Sequence, residues 1–214
     1  MAQYYTSVDL SSALCVGPAI KDNKVYIAPL ETPLTIQTPP LTLVGDVTHE
    51  STFAHLGVPT QFRAFLRSVE TALLDAVLDN KDRVLGGRTV SDETLRANLK
   101  SFVTCETDET GETGETGTDT SDLKVRVSDS LDIFDSSKQA VGIEDARDGC
   151  RVRCVLELSR VCFGRAEWGG MWRLVQIQVC NQACLIDHED PEDAEDAEDA
   201  EDSEDLADVV EEYM

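Results

Sequence analysis

Residues 149–179, GCRVRCVLELSRVCFGRAEWGGMWRLVQIQV, read as two long strands folded back on one another. In the first half Arg151 and Arg153 share one face, and Cys150, Val152, Cys154 and Leu156 share the other. In the second half Met171, Arg173, Val175, Ile177 and Val179 alternate with Trp172, Leu174, Gln176 and Gln178. A period of two is the signature of a strand. A hairpin loop near residues 165–170, containing Gly169 and Gly170, joins the halves and holds Trp168. Both tryptophans of the chain fall in this stretch, and its five arginines face only Glu157 and Glu167.

Upstream the pattern extends in both periods. LKVRV (residues 123–127) puts Leu123, Val125 and Val127 on one face and Lys124 and Arg126 on the other. Between residues 14 and 44, short apolar runs punctuated by Pro18, Pro29, Pro33, Pro39 and Pro40 predict short strands joined by tight turns. From Pro59 the period becomes helical, with Phe62, Phe65, Leu66, Val69, Leu73 and Val77 on one face and Thr60 placed to cap. SDETLRANLKSF predicts a second helix, capped by Ser91, with Asp92 and Glu93 in its first turn. Gly86 and Gly87 separate the two helices. The class predicted is mostly β with inserted helices.

The 214 residues carry a formal net charge of -24, which argues against a polyanion as ligand until its distribution is considered. Residues 187–214 contain 16 Asp or Glu and no Lys or Arg, and residues 104–122 contain 7 acids and no base. The rest of the chain holds 19 acids against 18 bases, so the body is nearly neutral. Both acidic segments are low in complexity, with GET and EDA repeats that bury too little apolar surface to offset the entropy of ordering. The expected organisation is one domain over residues 1–186, with a helical segment over about 59–103 and a mobile acidic loop over 104–122, followed by a disordered tail over 187–214. At the end of the tail Leu206, Val209, Val210, Tyr213 and Met214 have the spacing of a short helix face that forms on a partner. The plainer reading is a solvated tail that maintains solubility.

Several classes find no support. No apolar run is long enough to span a bilayer. The first residues lack a basic start and a continuous apolar segment, so an intracellular, soluble protein is expected. No G-x-S-x-G, Walker A, H-E-x-x-H or dinucleotide fingerprint is present, and the histidines are only His49, His55 and His188. No enzyme activity, cofactor or metal is therefore expected. Cys150 and Cys154, with Cys180 and Cys184, form two C-x3-C pairs that can be read as zinc ligands or as small core residues. The wide spacing on a strand face favours packing.

The residue types of the β-rich body fit a surface for single-stranded nucleic acid, in which bases neutralise phosphates while aromatic rings stack on nucleobases. The candidates are Trp168, Trp172, Arg173, Arg165, Arg151, Arg153, Lys124 and Arg126. Trp168, placed in the loop, is the preferred stacking residue, and Trp172 is the one that could instead hold the core together.

The stretch 149–179 together with YIAPLETPLTIQTPPLTLVG and FRAFLRSVETALLDAVL resembles the single-stranded DNA-binding proteins of large eukaryotic DNA viruses, including those of algae. In that family an IQTP strand precedes a helix that begins with Phe and Leu, and a W-[KR]-[LV]-[VL]-Q-[IL]-[KQ]-V strand closes the domain. Those features fall here on residues 36–39, 62–66 and 172–179, and the resemblance covers about residues 14–179. It implies an OB-fold, a small Greek-key barrel, related to acidic-tailed phage single-stranded DNA-binding proteins. The chain departs from the pattern in carrying Cys162 where the family has an aromatic residue, and in its GET-rich insertion. The function implied is sequence-nonspecific single-stranded DNA binding in viral replication, recombination or repair, and the location implied is a host nucleus, a cytoplasmic virus factory or the virion. The tail would occlude the DNA groove and recruit replication proteins, and a homo-oligomer is the candidate assembly. The rival, from a different class, is a virion structural or protein-interaction protein that binds basic proteins through its acidic tail.

Overall fold

The computed structural model describes residues 2–105 and 121–180. In chain order its elements are β1 (Gln3–Tyr4), α1 (Leu10–Ala13), β2 (Ile20–Asp22), β3 (Val25–Gln37), β4 (Leu41–Val44), β5 (Phe53–Gly57), α2 (Thr60–Asp79), α3 (Lys81–Leu85), α4 (Asp92–Ala97), β6 (Val103–Cys105), β7 (Ser121–Phe134), β8 (Arg151–Phe163) and β9 (Trp168–Val179). The acidic residues 106–120, Cys184 and the tail residues Leu206, Val209, Val210, Tyr213 and Met214 lie outside the described residues.

Five of the strands close on themselves. β4 pairs antiparallel with β5, β5 with β7, β8 with β9 and β8 with β4, while β7 and β9 run parallel. Numbered within the barrel, the order is first, second, third, fifth, fourth and back to the first, with the third and fifth strands parallel. That is the five-stranded Greek-key barrel of an OB-fold. β3 extends the sheet along β8, and the short β1 and β2 lie beyond it.

The prolines between residues 14 and 44 do not cut this region into short strands as predicted. β3 is a single strand of 13 residues, and its register with β8 shifts between Pro29 and Leu34, where the missing N–H of Pro29 and Pro33 is tolerated. Pro39 and Pro40 separate β3 from β4 along the same edge of β8. Thr38, fully buried before them, holds the join: its N–H donates to the Cys154 carbonyl and its Oγ1 accepts from the Cys154 N–H, both at 2.9 Å.

α2, α3 and α4 are inserted between the second and third barrel strands. α2 buries Phe62, Leu66, Val69, Leu73 and Val77, the face its period predicts, with Phe65 half-buried. Phe62, Phe65 and Tyr5 form an aromatic cluster with ring centroids 5.2–5.8 Å apart. Thr60 does not cap: the helix starts at Thr60, Pro59 takes the cap position and no side chain closes it. Ser91 does cap α4, its side chain accepting from the Thr94 N–H at 3.1 Å. Gly86, at φ 62°, ends α3 in the left-handed conformation that glycine adopts most readily. The helices stop at Ala97, ahead of β6.

Two features of the closing hairpin also depart from the sequence reading. Its turn is residues 164–167, and Trp168 is the first residue of β9, paired with Phe163. The strict alternation of β9 fails because the β8 register shifts by one residue at Val175. Trp172 and Leu174 point inward before the bulge, and Ile177 and Val179 point inward after it. Cys150 and Cys154 are buried in the core, and desolvation pushes the Cys154 thiol well above its ordinary range. Among the described residues no helix is long and apolar enough to cross a membrane.

Candidate nucleic-acid interface

The outer face of the second and third barrel strands is built by simple alternation. On β5, Ala54 and Leu56 turn into the core and Phe53 and His55 turn out. On β7, Leu123 and Val125 are fully buried, and Lys124 and Arg126, which alternate with them, are exposed. The register sets Phe53 opposite Arg126 and His55 opposite Lys124. The Lys124 ammonium stands 4.4 Å from the centre of the Phe53 ring, a cation over an aromatic face. His55 is tied through Nδ1 to Asp122 Oδ2 at 2.5 Å, which holds the imidazole beside this pair.

β9 adds the next row. Arg173 is directly opposite Arg126, an arrangement of like charges that costs energy on a bare sheet. Arg173 is balanced by Glu157 at 2.7 Å. Among the described residues Arg126 has no carboxylate within ion-pair distance, and neither do Lys124 and Arg160.

Two clefts run across this face and meet at Met171. One, of about 510 Å³, is walled by Phe53, His55, Lys100, Lys124 and Met171. The other, of about 350 Å³, is walled by Arg126, Arg160, Met171 and Arg173. Phe53 is 38% exposed and Met171 37%, uncommon exposure for large apolar side chains in this body. The turn carrying Arg165 flanks the first cleft through Gly164 and Glu167, and Lys100 is bridged to Glu167 at 2.7 Å.

The structure brings together Lys124, Arg126 and Arg173 of the predicted residues, with Arg165 exposed at the edge. Arg151 and Arg153 are exposed at the opposite end of β8, beyond the two clefts. Trp168 and Trp172 line the floor of the first cleft, and Trp172 also that of the second, but at 4% and 1% exposure both rings are packed largely into the core. Trp168 stacks on Phe163 and donates from Nε1 to the Leu95 carbonyl at 2.7 Å. Trp172 packs edge-on against Phe102. Phe53, His55, Lys100, Arg160 and Met171 were not among the predicted residues. The alternating run FAHLG was the available signal for the first two.

The model of a family of unknown function, DUF5871, matches residues 46–194. The chain belongs to that family. The matched span of this DUF5871 protein holds every residue of the face, from Phe53 to Arg173. No curated protein matches the sequence. Among solved structures it is similar to the single-stranded DNA-binding protein from bacteriophage Enc34. The C-terminally truncated form is 12% identical, with a TM-score of 0.47, covering 78% of this chain and 93% of that one. The form in complex with single-stranded DNA is 12% identical, with a TM-score of 0.44, covering 77% and 94%.

Proposed function

We propose that the outer face of β5, β7 and β9 binds single-stranded DNA without sequence preference. Phe53 offers a ring for base stacking, and Met171 extends its apolar surface. Lys124, Arg126, Arg160 and Arg173, with Lys100 and Arg165 at the rim, neutralise phosphates. The observation that carries the reading is an exposed aromatic ring beneath one cation and beside another, on the barrel face where OB-folds take oligonucleotides. The sequence resemblance supports the same ligand and a role in viral DNA replication, recombination or repair.

The acidic tail completes the proposal. Residues 187–214 compete with DNA for the cationic face when no strand is bound, and release their apolar end to recruit partner proteins when one is. Charge competition of this kind weakens with salt. Anisotropy of a labelled oligothymidine, titrated with the full chain and with a form lacking residues 187–214, tests both parts. Binding by the full chain at low salt, tightened by removal of the tail, is the expected result. Equal affinities overturn occlusion, and a chain that binds basic proteins but no oligonucleotide overturns the DNA reading.

A further inference from the structure

The outer face of the sheet continues past Arg173 to the far end of β9. There the pairing sets Arg153, Gln178 and Phe134 in one cross-strand row, and Val155, Gln176 and Asp132 in the next, with Gln37 beyond Val155. A cleft of about 230 Å³ opens between them, walled by Gln37, Phe134, Lys138, Arg153, Gln176 and Gln178. Its composition repeats the logic of the first face: a half-buried phenyl ring flanked by two exposed cations. Among the described residues neither Arg153 nor Lys138 has a carboxylate within ion-pair distance.

The amides add what the first face lacks. Gln178 donates to the Asp135 carbonyl at 3.3 Å, but the side chains of Gln37 and Gln176 make no hydrogen bond among the described residues. Each amide presents a donor and an acceptor, the complement of a nucleobase edge. Lys138 is held at φ 64°, a conformation that residues other than glycine rarely adopt. Its turn is fixed by the Asp135 N–H donating to the Gln139 carbonyl at 2.9 Å and by Asp135 Oδ1 accepting from the Gln139 N–H at 2.8 Å. Unusual backbone geometry of this kind gathers at binding sites.

We propose that this cleft is a second nucleotide subsite, which stacks one base of a bound DNA strand on Phe134 and places the adjoining phosphates on Arg153 and Lys138. The inference rests on the reading of the first face as a single-stranded DNA site. On β9, Arg173 and Gln178 are five residues apart, about 17 Å along a strand, so only a longer oligonucleotide reaches both sites.

The test uses the full chain with labelled oligothymidines of about 4 and about 16 nucleotides, the range of OB-fold site sizes. Phe134→Ala and, separately, Arg153→Glu are expected to weaken the long oligonucleotide about fivefold or more and to leave the short one unchanged. For Arg153→Glu the salt slope of log K for the long oligonucleotide also falls, by about 0.7 for each phosphate left without its cation. Because Arg153 is exposed, its variant remains informative even if Phe134→Ala fails to fold. Unchanged binding of the long oligonucleotide, or equal weakening of both lengths, overturns the subsite. Failure of the wild-type chain to bind either length overturns the first-face reading instead.

Discussion

Trp168 and Trp172 are both buried on the inward side of β9, with Gly170 between them, and differ in one atom's fate. The Trp168 indole N–H is bonded to the Leu95 carbonyl and ties β9 to α4. The Trp172 indole N–H is buried with no partner among the described residues. Replacement by phenylalanine removes similar apolar area from each, but only at Trp168 does it also break a buried hydrogen bond. Trp168→Phe should therefore lose about 1–3 kcal/mol more stability in urea unfolding than Trp172→Phe. Equal losses would mean that the Leu95 bond contributes nothing. The same pair shows what residue type alone reveals. Tryptophan marks a large packing or stacking element, and the choice between them depends on which side of the sheet its position faces. Phe53 was illegible for the same reason, since a phenylalanine in a short alternating run reads as core until its neighbours Ala54 and Leu56 are seen to be the inward pair.

At the scale of elements, the glycine pair of β9 shows how packing is written into a strand. The backbone of residues 98–100 runs directly against the start of β9, with Trp168 donating to the Asn98 carbonyl and Lys100 donating to the Trp168 carbonyl. A Cβ at Gly170 would sit 2.7 Å from Leu158 Cδ1 and 3.2 Å from the Phe102 ring, and Leu158 is fully buried. Gly170→Ala should accordingly destabilise the fold by about 1–3 kcal/mol, read as a lower urea midpoint with an unchanged slope. An unchanged midpoint would show that Leu158 and Phe102 yield freely. The buried face of α2, the Ser91 cap and the alternation of LKVRV were legible in the sequence because each is set by local periodicity. The continuity of β3 through its prolines and the bulge at Val175 were not, because both depend on which strand lies alongside.

Over the whole molecule, a closed barrel with a cationic outer face coexists with a net charge of -24 because the acids are segregated. The topology of an OB-fold places its second and third strands side by side, and here those strands supply Phe53, Lys124 and Arg126. Segregation was legible from composition, and so was the presence of cations among the strands. Their assembly with Lys100 and Arg160 was not, because those residues come from separate parts of the chain and converge only when the barrel closes.

The most direct test is the affinity of a short labelled oligothymidine for the wild type, Phe53→Ala and Arg126→Glu over a series of salt concentrations. The wild type should bind, with log K falling linearly with log salt. Phe53→Ala should weaken binding about fivefold to a hundredfold with the salt slope unchanged, the loss of one stacked base. Arg126→Glu should reduce the slope by about 0.7 for each phosphate that Arg126 neutralises in the wild type. Wild-type affinity in both variants, with their thermal unfolding unchanged, would contradict the assignment of this face.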